Sequence, residues 1–385
     1  MRMRALLVAV PLVVLAACSS GGDPTPTSAS TSGSPAPTLG PAVPPATAVA
    51  AAVPASQLPT ASGKFGEKPT LTFPQGNPVP SLQRVILSEG TGPKTVAGDW
   101  LVTNYLGQIW GGNVFDNSYD RGSTSVFQIG KQKVVPGWDA ALVGVPVGSR
   151  VMLSLPPADG YGSAGNESAG IKGTDTLVFV VDIVDAIAAN AGGQKDAKPA
   201  PALPKTGPQV SGPLGSQATV TIPSGAPEPT AASVTVIATG TGEPIQLGQV
   251  LVQYTAVTWA GESAGTTWPG DDPTKSGEGP QELPVATGGP FAGLVGVPIG
   301  SRVLVQVPGQ TDPQSGQTQP AIAAVVDVLL QTTVTPAAPD ASGSAAPGSG
   351  AATSGAASSE APASGVPSSQ APASEAPATS VAPTG

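Results

Sequence analysis

The sequence predicts an α+β fold: two related domains, each a twisted antiparallel β-sheet wrapped around one short α-helix, with disordered tails. Three observations predict it. Apolar residues recur with a period of two along four segments between residues 68 and 186, as they do on half-buried strands. One stretch, Trp138 to Val143, departs to helical spacing. A second stretch, 215 to 331, repeats the landmarks of the first at an offset of about 150 residues.

In chain order, Met1-Arg2-Met3-Arg4 precedes an apolar run from Ala5 to Ala17, the pattern of an export signal. Those 13 residues are too few to cross a bilayer as a helix, which takes roughly 20. The run ends in Leu15-Ala16-Ala17-Cys18-Ser19, and Cys18 is the sole cysteine, so it has no disulfide partner within the chain. Small residues before a cysteine at that place resemble the lipobox of bacterial lipoproteins. The resemblance implies a signal peptide over 1–18, lipidation of Cys18 and anchorage at the outer face of the cell membrane.

Residues 19–67 are mostly Ser, Thr, Pro, Gly and Ala and offer little apolar area to offset ordering entropy, so a disordered tether is expected there. The same composition returns over 332–385, an expected disordered tail, and 187–214 reads as a linker. With 50 Gly and 45 Pro in 385 residues, ordered structure must be concentrated in the two islands between.

Within the first island, Leu101, Thr103 and Tyr105 share one strand face, Ser125, Phe127 and Ile129 another, Val151, Leu153 and Leu155 a third, and Leu177, Phe179, Val181 and Ile183 a fourth. Trp138 and Leu142 stand one helical turn apart, and Gly144 supplies a stop. The second island repeats Trp100-Leu101-Val102-Thr103-Asn104-Tyr105 as Val250-Leu251-Val252-Gln253-Tyr254, and Leu142-Val143-Gly144-Val145-Pro146-Val147-Gly148-Ser149-Arg150 as Leu294-Val295-Gly296-Val297-Pro298-Ile299-Gly300-Ser301-Arg302.

Composition narrows the chemistry. There is no histidine, and the single cysteine is assigned to the anchor, which excludes His/Cys zinc sites, Ser-His-Asp triads and cysteine nucleophiles. No metal or cofactor is expected. A net charge of -9 without a Lys/Arg cluster argues against nucleic acid as a partner.

An ordered series of motifs runs through the first island: Val114-Phe115-Asp116-Asn117-Ser118-Tyr119-Asp120-Arg121-Gly122, Phe127-Gln128-Ile129-Gly130, Val134-Val135-Pro136-Gly137-Trp138, Val147-Gly148-Ser149-Arg150, Tyr161-Gly162 and Thr176-Leu177-Val178-Phe179. In that order and spacing they resemble the FK506-binding-protein family of peptidyl-prolyl cis-trans isomerases. The resemblance implies that Trp138 forms the floor under a proline ring, with Tyr105, Phe115, Phe127, Val134, Val135 and Phe179 as walls. The Val135 N–H and the Tyr161 hydroxyl would donate to substrate carbonyls, Asp116 would sit at the pocket edge paired with Arg121, and Ile171 would lie on the covering flap. It implies as partners exported proteins with X–Pro bonds, and macrolide inhibitors as a ligand class.

Such a pocket suits the reaction. Rotation about an X–Pro bond faces a barrier of about 18–20 kcal/mol because amide conjugation must be broken. A site that excludes water and favours the less polar twisted amide needs neither nucleophile nor metal. The alternative is a non-catalytic chaperone or scaffold lipoprotein that holds Pro-containing segments.

Two features depart from the family pattern. Ser125 stands where a second aromatic is usual, and Lys172-Gly173 replaces prolines in the flap, which predicts a looser flap and bears on macrolide affinity more than on isomerisation. In the second island Ala264-Gly265 falls at Phe115-Asp116, Pro290 at Trp138 and Ala324 at Phe179, and no Tyr-Gly follows Arg302. That island is expected to keep the fold without the activity.

Overall fold

The structure is a computed structural model and describes residues 48–270, 277, 279–311 and 316–335. The expected signal peptide with Cys18, most of the tether and the tail beyond Thr335 lie outside the described residues.

The first strands of the first island are β1 (Thr60–Ala61), β2 (Leu71–Thr72), β3 (Gln83–Ser88), β4 (Trp100–Ile109), β5 (Val114–Asn117) and β6 (Ser125–Gln128). Helix α1 (Pro136–Ala141), β7 (Arg150–Leu155) and β8 (Leu177–Ile187) follow. The sheet runs β3-β7-β8-β4-β5, with β6 also paired to β4, and every pairing is antiparallel. The helix begins two residues before Trp138 because Pro136 is preorganised for a first turn. It ends where Gly144 adopts a φ of +79° and the Thr95 hydroxyl donates to the Leu142 carbonyl at 2.6 Å.

Strand β8 is buried on both faces. Leu177, Phe179, Val181 and Ile183 join α1 in the main core, whereas Val178 and Val180 pack on the opposite side with Leu106, Met152, Leu58 and Leu71. The second core corrects the expected tether. Residues 48–67 do not form one throughout: Leu58 and Leu71 are buried, β1 and β2 form a hairpin, and the Ala50 N–H donates to the Leu82 carbonyl at 3.1 Å. Each Leu or Val buried in this way contributes about 1.5–3 kcal/mol, which a composition average over 19–67 conceals.

The second island contains β9 (Lys198–Pro199), β10 (Gln209–Ser211), β11 (Thr219–Thr221), β12 (Ser233–Thr239), β13 (Gly248–Thr258), β14 (Ser263–Thr266) and β15 (Gln281–Val285). It continues with β16 (Arg302–Val307), β17 (Gln310–Thr311), β18 (Thr318–Gln319) and β19 (Ile322–Val334). The main sheet runs β14-β13-β19-β16-β12-β9, with β15 on β13. Three expectations are corrected here. Residues 187–214 are not only linker, since β9 extends the sheet and Leu203 and Val210 pack over its outer face. The last strand continues past residue 331 to Val334. The expected short α-helix is absent among the described residues, a 3-10 turn at Ala292–Leu294 standing in its place, because Pro290 and three glycines between residues 288 and 293 do not sustain an α-turn. Among the described residues the regular structure is accordingly mostly sheet, with α1 the sole α-helix.

Both islands share a buried ion pair. Arg150 Nε donates to Asp182 Oδ1 at 2.6 Å, and Arg302 Nε to Asp327 Oδ1 at 2.6 Å. In the first, Asp182 also accepts from the Gly66 N–H at 2.7 Å and the Tyr119 hydroxyl at 2.9 Å, while Arg150 Nη2 donates to the Glu67 carbonyl at 2.6 Å. In the second, Arg302 donates to the carbonyls of Pro213 and Ser216. Each pair thus ties a preceding hairpin to its sheet.

Candidate active site

The site is built on β4, whose three neighbours and facing helix deliver the aromatic side chains. Tyr105 lies on the inner face of β4. The β4–β6 register sets Phe127 opposite Leu101, and the β4–β8 register sets Phe179 opposite Gly107. Helix α1 lays Trp138 across this face. Centroids of Tyr105, Phe127 and Phe179 lie 5.4, 4.7 and 5.0 Å from that of Trp138, with Tyr105 and Phe179 edge-on to it. Phe115 packs edge-on against Phe179 at 5.6 Å. Such contacts add about 0.5–1.5 kcal/mol per pair beyond area burial.

The structure brings the remaining candidates to the same core: Val134, Val135 and Ile171 are buried in it, and Phe115 and Tyr161 pack against it while partly exposed. The Trp138 indole N–H is buried with no partner among the described residues, at a cost of about 1–3 kcal/mol. The Val135 carbonyl accepts the first helical N–H bonds, from Trp138 and Asp139, and among the described residues no backbone acceptor engages the Val135 N–H.

At the rim, Asp116 accepts hydrogen bonds from the Tyr105 hydroxyl and from Arg121 Nη1. Arg121 Nη2 also donates to the Tyr105 oxygen at 3.2 Å and to Ser125 Oγ at 3.1 Å, and the guanidinium lies 5.5 Å from the centroid of the Tyr105 ring. The Tyr105 phenol is held well above its usual pKa, first by burial and then by its hydrogen bond to Asp116 and that group's charge, with Arg121 opposing. Burial likewise pushes the Tyr161 phenol up to about 12, the Asn166 side chain opposing and Asp116 adding. Both phenols therefore remain protonated donors at neutral pH.

The segment that carries Ile171 is held by local hydrogen bonds. Asn166 and Ile171 exchange backbone hydrogen bonds at 2.8 and 2.9 Å, and the Asn166 side chain caps the intervening 3-10 turn. A Cβ on Gly173 would lie 2.0 Å from the Ser163 carbonyl oxygen, so this glycine marks a close backbone approach.

Several contributors escaped the sequence reading. Gly107 faces both Phe115 and Phe179, and a Cβ there would meet their rings at 2.7 and 2.8 Å. Its place between two aromatic neighbours arises only from strand pairing. Ser118 is buried and its hydroxyl accepts the Tyr105 N–H at 2.9 Å, fixing the strand that carries the rim tyrosine. Asp139 accepts from the N–H groups of Gly130 and Gln132 and so shapes the loop leading to Val134.

Two clefts on the described surface lie away from these rings: one of about 550 Å3 beside Lys131 and Lys133, and one of about 300 Å3 between Trp100 and Glu282.

Strand register in the second island sets Gly265 opposite Ala256 and Ala324 opposite Ala256, where the first sets Asp116 and Phe179 opposite Gly107. Tyr254 is retained, with its N–H bonded to Thr267 Oγ1 as that of Tyr105 is to Ser118, and Phe291 is buried in the core beside it.

Comparison with known proteins accords with this geometry. The family model for FKBP-type peptidyl-prolyl cis-trans isomerase matches residues 92–184. The chain is 38% identical over 119 residues to the FK506-binding protein of Streptomyces anulatus, a match covering 31% of this chain and 96% of that protein. It is 40% identical over 91 residues to FK506-binding protein 2 of Dictyostelium discoideum, covering 24% of this chain and 68% of that protein. The crystal structure of FkpA from Escherichia coli matches at 36% identity with a TM-score of 0.27, covering 28% of this chain and 49% of that one. Through the segment that carries the aromatic cluster, the chain belongs to the FKBP-type peptidyl-prolyl cis-trans isomerase family.

Proposed function

We propose that the first island accelerates rotation about X–Pro bonds in exported client proteins, working at the outer face of a membrane through a lipid on Cys18. The observation that carries this reading is the convergence of Tyr105, Phe127 and Phe179 on the Trp138 ring. A proline ring enters past Phe115 and Tyr161, the partly exposed members of the cluster, and rests on Trp138. Phe127, Val134 and Phe179 keep water from the amide, which disfavours the planar, more polar form relative to the twisted one. The Val135 N–H and the Tyr161 hydroxyl hold the flanking carbonyls, and Ile171 covers them from the flap. Asp116 binds the Tyr105 hydroxyl and Arg121, so the rim presents a neutralised pair instead of a bare charge.

The second island keeps the sheet without this apparatus. Alanines stand at the places of Phe115 and Phe179, and a glycine at that of Asp116. No proline-ring site is assigned to it.

In a protease-free assay on a short X–Pro peptide, the full chain is expected to speed cis/trans relaxation above buffer. There is no histidine to titrate and both pocket phenols stay protonated, so the rate should be flat from about pH 6 to about pH 9. A chain no faster than buffer would leave only the non-catalytic binding reading. The anchor has its own measurement: radiolabelled palmitate should be incorporated into wild type and be lost in Cys18→Ala, whereas label persisting in the variant refutes lipidation there.

A further inference from the structure

We infer that the second island is a positioning element for the proline site, acting through the outward face of β6; this rests on the site reading above. Strand β6 alternates. Ser125 and Phe127 are buried toward Arg121 and Trp138, whereas Thr124, just before the strand, and Val126 face the second island.

Two contacts and a shared cleft join the islands along this face. The Thr124 hydroxyl donates to the Thr332 carbonyl at 2.8 Å, across 208 residues of sequence. Val126 and Trp100 line one wall of a cleft whose other wall is Leu251, Pro280, Gln281 and Glu282. The Trp100 indole lies directly on Gly279, where a Cβ would be 2.2 Å from its Nε1, and Gly279 has a φ of +129°.

The acceptor side is buried and hydrogen-bonded within the second island. Thr332 is 6% exposed, and its hydroxyl is bonded to the Glu282 carboxylate and, at 3.3 Å, to the Gln249 carbonyl. On the other side, Thr124 adjoins Ser125, whose Oγ receives Arg121, and Arg121 in turn holds Asp116 and the Tyr105 hydroxyl.

A serine at 125 contributes little apolar area to fasten this strand, and the preceding turn passes through Gly122 at a φ of +65°. Pairing with β4 sets Phe127, and the contact at Thr124 steadies the turn that carries Arg121 at the rim. Losing it should weaken ground-state binding of the substrate and leave the twisting step itself intact, so the effect falls on KM.

The test uses the full chain and a short X–Pro peptide. Gly279→Val drives a side chain into Trp100 and is expected to raise KM about fivefold, equivalent to about 1 kcal/mol of coupling, with kcat within about twofold of wild type. Thr124→Val removes the donor and should shift KM in the same direction by a smaller factor. Val295→Ser, at an exposed position of the second island, should change neither constant. Wild-type KM in both interface variants overturns the inference, and if Gly279→Val does not fold, Thr124→Val decides alone. Trp138→Ala run alongside separates the two levels: full activity in that variant sinks the site reading, whereas its inactivity beside unaltered interface variants sinks only the positioning role.

Discussion

Trp138→Ala is expected to lower kcat/KM on a short X–Pro peptide by a factor of about 10 to 100, or about 1.4 to 2.8 kcal/mol of transition-state stabilisation. Trp138 is the ring on which Tyr105, Phe127 and Phe179 all pack, and it is fully buried. Truncation removes the surface under the proline ring and lets the other rings collapse or water enter. Collapse closes the space for the proline ring, and water raises the local polarity and favours the planar amide. Removing so large a buried ring also costs about 3–5 kcal/mol of stability, so activity must be compared at a temperature where circular dichroism shows the variant folded. Trp138→Phe is the companion measurement: it keeps an aromatic floor, removes the unpaired indole N–H, and should retain more activity than the alanine variant. A folded Trp138→Ala with wild-type kcat/KM would place the proline site elsewhere.

Asp182→Ala is expected to destabilise the first island by about 3–5 kcal/mol, because it leaves the Arg150 guanidinium buried without its counter-charge. Arg150 and Asp182 are 2% and 0% exposed, so solvent does not screen the loss. The same substitution frees the Gly66 N–H and the Tyr119 hydroxyl, both of which donate to Asp182. The midpoint of thermal unfolding should fall by roughly 10–20 °C for an island of this size. The hairpin of β1 and β2 should become the first site of proteolysis, since Asp182 and Arg150 together hold Gly66 and Glu67. A midpoint within about 2 °C of wild type would show that the hairpin is held by its apolar contacts alone.

Much of the strand framework could be read from local pattern. Alternation identified β4, β6, β7 and β8, and the repeat placed β13, β16 and the turn before Arg302. Those signals are local because a strand's two faces are written in its own residues. The membership of the aromatic cluster came from a resemblance over the whole order of motifs. No single aromatic residue distinguishes a pocket wall from ordinary core.

The errors over the tether and the linker had one physical source. Residues 48–67 and 187–214 have the composition of linkers, yet a few apolar residues in each, Leu58 in the first and Leu203 and Val210 in the second, cover the outer face of a sheet. Composition averages out so sparse a signal. The apolar run Leu177 to Val181 did carry a sign of burial on both faces, which alternation alone obscured. The helix expected in the second island was carried over by analogy with the first, and Pro290 among glycines does not support it.

By itself the sequence determined the central strands of the first island, that their landmarks recur, and that the chemistry must proceed without histidine, because these follow from period, repetition and inventory. Only the tertiary structure decided that Gly107 must be bare between two rings, that Asp182 latches a hairpin 116 residues away, and that Thr332 reaches the loop bearing Arg121. Contacts between residues so far apart in the chain depend on how completed sheets meet, and nothing in the neighbouring residues announces them.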